Sequence, residues 1–290
     1  MNPLRSAFVD RLIRLALEED IGTGDITTES LVEPGMRGIG RIVAREPLVL
    51  AGAPVARAVF EALDPAVTVS IAVEEGSFIA SGTTILTVEG AMRTLLTGER
   101  TALNFLQRMS GIATHVRNYL DMMKGLSLHL VDTRKTTPGL RVLEKYAVRM
   151  GGARNHRMGL FDGVLIKDNH IAACGGIVQA VSRIRSRISH LMKIEVEVST
   201  LDQVREALDV GVDVIMLDNM PIETMRKAVS LIAGKAIIES SGRINAATIP
   251  GLAGAGIDIV SVGALTHSAK SVDISMDIDS GPFHERESAA

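Results

Sequence analysis

The chain has 290 residues, 46% of them hydrophobic, which is enough apolar material for one large domain or two modest ones. A net charge of −3, an aromatic content of 3% and no Trp leave neither the basic footprint nor the stacking rings of a nucleic-acid binder. The single cysteine, Cys174, excludes an internal disulfide and argues against a cysteine-based metal centre.

The opening MNPLRSAFVDRLIRLALEED does not read as a signal peptide, because Asp10, Arg11 and Arg14 interrupt its apolar residues. Leu4, Phe8, Leu12 and Leu15 share one face of a predicted amphipathic helix, which stops at the turn Ile21-Gly22-Thr23-Gly24-Asp25. Between Gly38 and Val88, short β-like runs (GRIVARE, VTVSIAV, TTILTVEG) separated by Gly and Pro predict a small α+β domain. A helical stretch follows, from Ala91 to Lys124. No apolar run approaches the ~20 residues of a membrane span, so a cytoplasmic protein is the expectation.

The remainder alternates strand and helix. Strands are predicted at 128–132, 163–167, 194–198, 213–218, 236–240 and 257–263, with helical patterns such as LDQVREALDVG between them. Several of these strands carry almost no polar alternation, the mark of a parallel sheet buried on both faces. Polar residues gather at their C-terminal ends: Asp132, Lys167, Glu197, Asp218, Glu239 with Ser240 and Ser241, and Gly263 with His267. A barrel collects such ends around one mouth, whereas an open sheet spreads them along an edge, so an α/β barrel is preferred to a doubly wound sheet. The tail SGPFHERESAA is expected to fray.

The segment 132–170 holds eight Arg and Lys against four Asp and Glu, a local anion funnel in an acidic chain. Arg141, Lys145 and Arg149 fall at four-residue steps on a predicted helix and read best as a solvated face. Arg134, Lys135 and Lys167 lie at or after buried strands, where an unpaired cation is costly, so something anionic should meet them. Glu195 and Glu197 alternate with apolar residues and share a strand face, Glu197 nearer the mouth. Glu197 with Asp218 can orient a hydrated Mg²⁺ or stabilise a positive sugar carbon. They can equally be ion-pair partners of Lys135 and Lys167, and the two readings are compatible. Ser241, Gly242 and Gly263 follow late strands, where exposed N–H groups can cradle a phosphate, although a glycine after a strand is more often just a turn. Cys174 reads as a packed thiol, and no P-loop, dinucleotide-binding or nucleophile-elbow motif occurs.

The segments EDIGTGDITT (19–28), GERTALNFLQRMSGIAT (98–114), DTRKTTPGLR (132–141), NHRMGLFDGVLIKDNH (155–170), EVEV (195–198), MLDN (216–219), ESSGRI (239–244) and VSVGALTHS (260–268) together resemble the quinolinate phosphoribosyltransferases, over nearly the whole chain. The resemblance implies an N-terminal α/β sandwich domain (1–112), an incomplete, seven-stranded α/β barrel (113–272) and a C-terminal segment (273–290) that returns to the first domain. It implies transfer of a phosphoribosyl group from phosphoribosyl pyrophosphate to quinolinate, with decarboxylation to nicotinate mononucleotide. It also implies a homodimer with shared active sites, a hexamer of such chains being left open, and Mg²⁺ as the only cofactor.

By motif, Arg134, His156 and Arg157, with Arg100 from a neighbouring subunit, would meet the quinolinate carboxylates. Lys135 and Lys167 would face the donor and the reacting centre. Glu197 and Asp218 would lie beside the ribose and hold the metal through water, and Ser241, Gly242, Gly263 and His267 would form the phosphate end. Ala153 stands where many members carry a third glycine. The rival readings are a phosphoribosyltransferase acting on nicotinate, and a non-catalytic phosphosugar-binding protein.

Overall fold

The computed structural model describes residue 4 and residues 6–242, 244 and 248–279. In chain order the first elements are α1 (Ala7–Ile21), α2 (Ile26–Leu31), β1 (Arg37–Ala44), β2 (Leu48–Val49), α3 (Ala53–Leu63), β3 (Thr68–Ile71), β4 (Phe78–Ile79), β5 (Thr84–Ala91) and α4 (Met92–Met122). There follow β6 (His129–Val131), α5 (Arg141–Met150), β7 (Val164–Ile166), α6 (Asp168–Cys174), α7 (Ile177–Arg185), β8 (Ile194–Val198) and α8 (Leu201–Asp209). The last are β9 (Val214–Asp218), α9 (Ile222–Ile232), β10 (Ile237–Ser241), α10 (Ile249–Ala253), β11 (Ile259–Ser261), α11 (Ala264–His267) and β12 (Ile274–Asp279). The chain divides into two compact units. One comprises the described residues up to Arg117, Thr137–Gly152 and those from Ser268; the other comprises those within Asn118–Thr136 and Ala153–His267. Helix α4 is unbroken through residue 112, and the chain changes unit at 117/118, 136/137, 152/153 and 267/268.

The first unit is built on a four-stranded antiparallel sheet, ordered β12-β1-β5-β3. Its edge strand β12 comes from the far end of the chain and pairs Ile274–Asp279 with Ala44–Ile39. The predicted frayed tail lies outside the described residues. Helix α1 starts where the Ser6 side chain accepts from the Val9 N–H, and it ends at Gly22, whose φ of 54° few other residues adopt. It buries Val9, Ile13 and Leu17 and leaves Phe8 and Leu15 exposed, so the predicted face is corrected. The helix carries apolar residues on more than one stripe, and spacing alone cannot say which one α3 packs against. In α4, a side chain at Gly111 would put its Cβ 2.1 Å from the Lys270 carbonyl oxygen, so only glycine lets the C-terminal segment pass.

The second unit is a six-stranded, wholly parallel sheet with the order β6-β11-β10-β9-β8-β7. The order is cyclic, with the chain-first strand β6 lying beside the chain-last strand β11. On its other side β6 takes a parallel bridge from Arg154, through Arg154 N–H to Leu130 O (3.0 Å) and Asp132 N–H to Arg154 O (3.3 Å). Residue 154 falls between β6 and β7 in sequence. The strands therefore run round in chain order with one rudimentary member and one gap, which is an incomplete α/β barrel rather than a doubly wound sheet. Helices α6 to α9 pack each on the next, as a barrel's outer ring does. Strand β8 shows the two-faced burial directly: Ile194, Val196 and Val198 are buried on one face, Glu195 and Glu197 occupy the other. No helix of the described residues is long and apolar enough to cross a membrane.

Candidate active site

Strand register decides which side chains meet. Glu239 pairs with Met216 and Met216 with Glu197, while Ser241 pairs with Asp218 and with Ser261. Alternation then puts Leu165, Glu195, Glu197, Met216, Asp218, Glu239, Ser241 and Ser261 on one sheet face, in layers that climb toward the strand C-termini. A cavity of about 290 Å³ opens on that face. Of the residues expected at the site, Arg134, Lys135, His156, Arg157, Lys167, Glu197, Asp218 and Ser241 line it. The sequence reading did not single out Thr133, Asn219 or Ser261, which line it too, and noted Glu239 only as a polar strand end. Ser240 points the other way, its Oγ 3.8 Å from the Met225 sulfur, which removes it from the mouth cluster.

The loops that carry the cations are tied from beneath. Asp132 is fully buried, and its carboxylate accepts from the Asn155 side-chain amide (2.6 Å) and the His156 N–H (2.9 Å). Asp162 accepts from the Met158 and Gly159 N–H groups and closes the following turn. Arg157 donates from Nη1 to Gly163 O (2.9 Å), while its buried Nε has no hydrogen-bond partner. Burial, then the charge of Arg134, holds the Arg157 guanidinium below its ordinary pKa, with Glu195 and Asp162 pulling the other way. Two guanidinium groups that repel each other in a half-buried wall suit a multiply charged anion.

The opposite wall is acidic. Lys167 Nζ lies 3.5 Å from Glu197 Oε2. Burial raises the Glu197 pKa, Lys167 lowers it, and the neighbouring Asp218 charge raises it again. Two carboxylates that repel each other at adjacent strand ends, both acceptor-only oxygen donors, suit a hard divalent cation, so the residues fit Mg²⁺. Asn219, in a left-handed conformation (φ 50°), donates from Nδ2 to Asp218 Oδ2 (2.8 Å) and from its N–H to Ser241 O (3.0 Å). At Gly242 (φ 92°) a Cβ would lie 2.2 Å from Asn219 Oδ1, so glycine is required there. At Gly263 a Cβ would lie 2.8 Å from Lys135 Cδ and 3.2 Å from His267 Nε2. These two glycines and His267 sit beside the cavity rather than in its lining. Arg100 is an exposed residue of α4 and belongs to the other unit.

Beneath the cations lies a cluster that no local spacing announces. His156 Nε2 is 3.1 Å from Glu195 Oε2 and 3.6 Å from Glu239 Oε1, and its Nδ1 accepts from the Arg157 N–H at 2.8 Å. Burial, then the Glu195 charge, pushes the Glu239 carboxyl up to about 7, against the pull of His156 and Ser261. A separate cavity of about 210 Å³ in the first unit is lined by Glu19, Asp20 and Glu144 and by one cation, Arg108, which is paired with Glu144, so it offers no comparable anion-binding wall.

Residues 112–277 match the family described as quinolinate phosphoribosyl transferase, C-terminal domain, and residues 25–110 its N-terminal domain. The chain belongs to the quinolinate phosphoribosyl transferase family. Among its relatives in that family is the probable nicotinate-nucleotide pyrophosphorylase (carboxylating) of Bacillus subtilis, 46% identical over 261 residues and 90% of each chain. The nicotinate-nucleotide pyrophosphorylase (carboxylating) of Mycobacterium leprae is 44% identical over 272 residues, 92% of this chain and 95% of that one. The crystal structure of NadC from Streptococcus pyogenes superposes with a TM-score of 0.89 at 43% identity, over 93% of this chain and 96% of that one.

Proposed function

We propose that this member of the family transfers the phosphoribosyl group of phosphoribosyl pyrophosphate to quinolinate, with loss of CO₂, and so supplies nicotinate mononucleotide for NAD synthesis. The observation that carries the reading is the polarity of one cavity: Arg134 and Arg157 crowd one wall, and Glu197 and Asp218 crowd the other. A dicarboxylate relieves the first repulsion, and a metal-bound pyrophosphate donor the second. Full-length relatives named as carboxylating pyrophosphorylases support the same reading.

In this mechanism Arg134 and Arg157 seat the acceptor's carboxylates and His156 packs beside them. Lys135 and Lys167 neutralise the donor's charge. Ser241, Gly242, Gly263 and His267 receive its phosphate. Glu197 and Asp218 face the sugar carbon as the pyridine nitrogen attacks and pyrophosphate leaves, and their charge stabilises the developing cation. Glu197 and Asp218 would hold Mg²⁺, which when bound would supply charge neutralisation for the leaving pyrophosphate. The ring nitrogen, now cationic, then stabilises the electron pair left at the adjacent carbon when CO₂ departs, and protonation there gives the product. Positioning and fixed charge supply the rate, with no organic cofactor. The proposed setting is the cytoplasm.

The test is an assay with quinolinate, phosphoribosyl pyrophosphate and Mg²⁺ that follows CO₂ and nicotinate mononucleotide together, with nicotinate as a parallel acceptor. Equal amounts of both products, from quinolinate alone, are expected. Turnover of nicotinate instead would overturn the assignment of acceptor, and no turnover of either would favour a binding protein.

The active unit is proposed to be a homodimer in which Arg100 of each subunit completes the other's site. Large apolar side chains stand exposed on both units, Ile26 at 80% and Leu31 at 77% on the first, Phe161 and Leu191 at 81% on the second, and a second copy would cover such surface. Arg100→Ala and Lys167→Ala are each expected to be inactive alone. Mixed and reassociated, they should recover roughly a quarter of wild-type activity, because half the dimers are hybrids with one intact site of two. Verified heterodimers without recovery would place Arg100 outside the site.

A further inference from the structure

Glu195 and Glu239, which the catalytic scheme above does not use, meet His156 at one end of the cavity. His156 is engaged on both sides. Its backbone N–H goes to the buried Asp132, its Nδ1 accepts the Arg157 N–H, and its Nε2 faces Glu195 and Glu239. A ring nitrogen that accepts an N–H carries no proton, so the neutral ring keeps its proton on Nε2, aimed at the two carboxylates. Glu195 and Glu239 come from β8 and β10, two strands apart, and both are at least nine-tenths buried. Each also has an Oε1 atom without a hydrogen-bond partner. Isolated buried carboxylates are expensive, and two facing each other are more so, which makes the pair's retention for packing alone a poor explanation.

The geometry points to Glu195 and Glu239 as positioning residues for acceptor binding: they fix the His156 ring, the ring fixes the Arg157 backbone, and that backbone aims the Arg157 guanidinium into the cavity. The inference rests on the proposed reaction, since it takes Arg157 as a ligand of the acceptor. The chain of contacts is short at each step. Glu195 to His156 is 3.1 Å, His156 to the Arg157 N–H is 2.8 Å, and Arg157 Nη1 is held on its far side by Gly163 O at 2.9 Å. Glu239, at 3.6 Å, sits beyond hydrogen-bond reach and closes the Nε2 side of the ring beside Glu195. Neither carboxylate is assigned any contact with the donor, so the two substrates should respond differently to their loss.

The experiment compares Glu195→Ala, Glu195→Gln and Glu239→Ala in the full chain. In Glu195→Ala the KM for quinolinate should rise about tenfold, the usual weight of a hydrogen bond to a charged group, with the KM for phosphoribosyl pyrophosphate within twofold of wild type. Glu195→Gln, whose amide oxygen still accepts from Nε2, should recover most of that loss. Glu239→Ala should cost about threefold and serves as the test if Glu195→Ala does not fold. Long-range ¹H–¹⁵N correlation should show His156 with its proton on Nε2 in the wild type, and a mixture of ring forms in Glu195→Ala. Equal rises in both KM values, or a His156 ring unchanged in Glu195→Ala, would overturn the proposal. If the wild type fails to turn quinolinate over, the reaction falls by itself. The spectra, with calorimetric titration of pyridine-2,3-dicarboxylate into wild type and variants, still decide whether the carboxylates set the ring and the acceptor affinity.

Discussion

Lys167→Ala is expected to lower kcat/KM by about 10²–10³-fold while leaving the thermal midpoint within a few degrees of wild type. The size follows from the proposed role of Lys167, one fixed charge set against the charge of the donor. The small effect on stability follows from exposure. The Lys167 side chain is 47% exposed, and a partly solvated ion pair such as Lys167–Glu197 contributes little to folding. A purely structural ion pair predicts the reverse pattern, a measurable loss of stability with near-normal rates. Lys135→Ala should behave like Lys167→Ala, and near-normal rates in both would remove the lysines from the mechanism. A second signature separates the two lysines. Lys167 pulls the Glu197 pKa down against burial and the Asp218 charge, so without Lys167 that carboxyl titrates at higher pH. In the proposed mechanism this group is ionised as it faces a cationic sugar. The acid limb of the kcat/KM profile should therefore move to higher pH in Lys167→Ala, and full ionisation should require more alkaline conditions.

The parallel strands were legible because burial on both faces writes an unbroken apolar run that no solvent-facing element carries. β9, the run VIMLD, falls within a residue of its predicted position. The mouth residues were legible for a related reason: Lys167, Glu197 and Asp218 interrupt or end those runs, and a charge there is too costly to be accidental. Helix α5 misled the same reasoning. Arg141, Lys145 and Arg149 at four-residue steps suggest a solvated face, and Arg149 is indeed exposed. Lys145, however, is fully buried, together with Leu143, Glu144, Tyr146, Ala147 and Val148. Periodicity locates a stripe on a helix but cannot tell a wet stripe from a second buried one. The cluster of His156, Glu195 and Glu239 was out of reach for a different reason. Its members come from a loop and two strands 39 to 83 residues apart in numbering, and only the register that levels Glu239 with Glu197 and sets Glu195 one layer below brings them together. Alternation in IEVEV puts Glu195 on the Glu197 face, but its partner depends on strand order, which sequence alone does not carry.

The misread helix also holds the largest stability effect. Glu144→Ala is expected to destabilise the protein by about 3 kcal/mol, in the upper part of the range for single substitutions. The Glu144 side chain is 1% exposed and accepts four hydrogen bonds: from Arg108 Nε (3.2 Å) and Nη2 (2.8 Å), from the Thr137 N–H (3.1 Å) and from Thr137 Oγ1 (2.9 Å). Arg108 also donates from Nη1 to the Ala269 carbonyl at 2.7 Å. One ion pair thus joins three segments of the first unit that lie far apart in the chain: α4, the start of α5 and the returning C-terminal stretch. Replacing both partners with apolar groups could be neutral, but removing only the acid strands a half-buried guanidinium and two Thr137 donors. The guanidinium is 26% exposed, so water recovers part of its solvation, which sets the figure at the low end for a broken buried pair. A drop of roughly 6–10 °C in the melting midpoint corresponds to it. Asp202→Ala is the matched control, because the Arg205–Asp202 pair is an exposed i,i+3 contact whose loss should cost less than about 0.5 kcal/mol. Equal midpoints for Glu144→Ala and Asp202→Ala would show that the Arg108–Glu144 pair does not hold the first unit together.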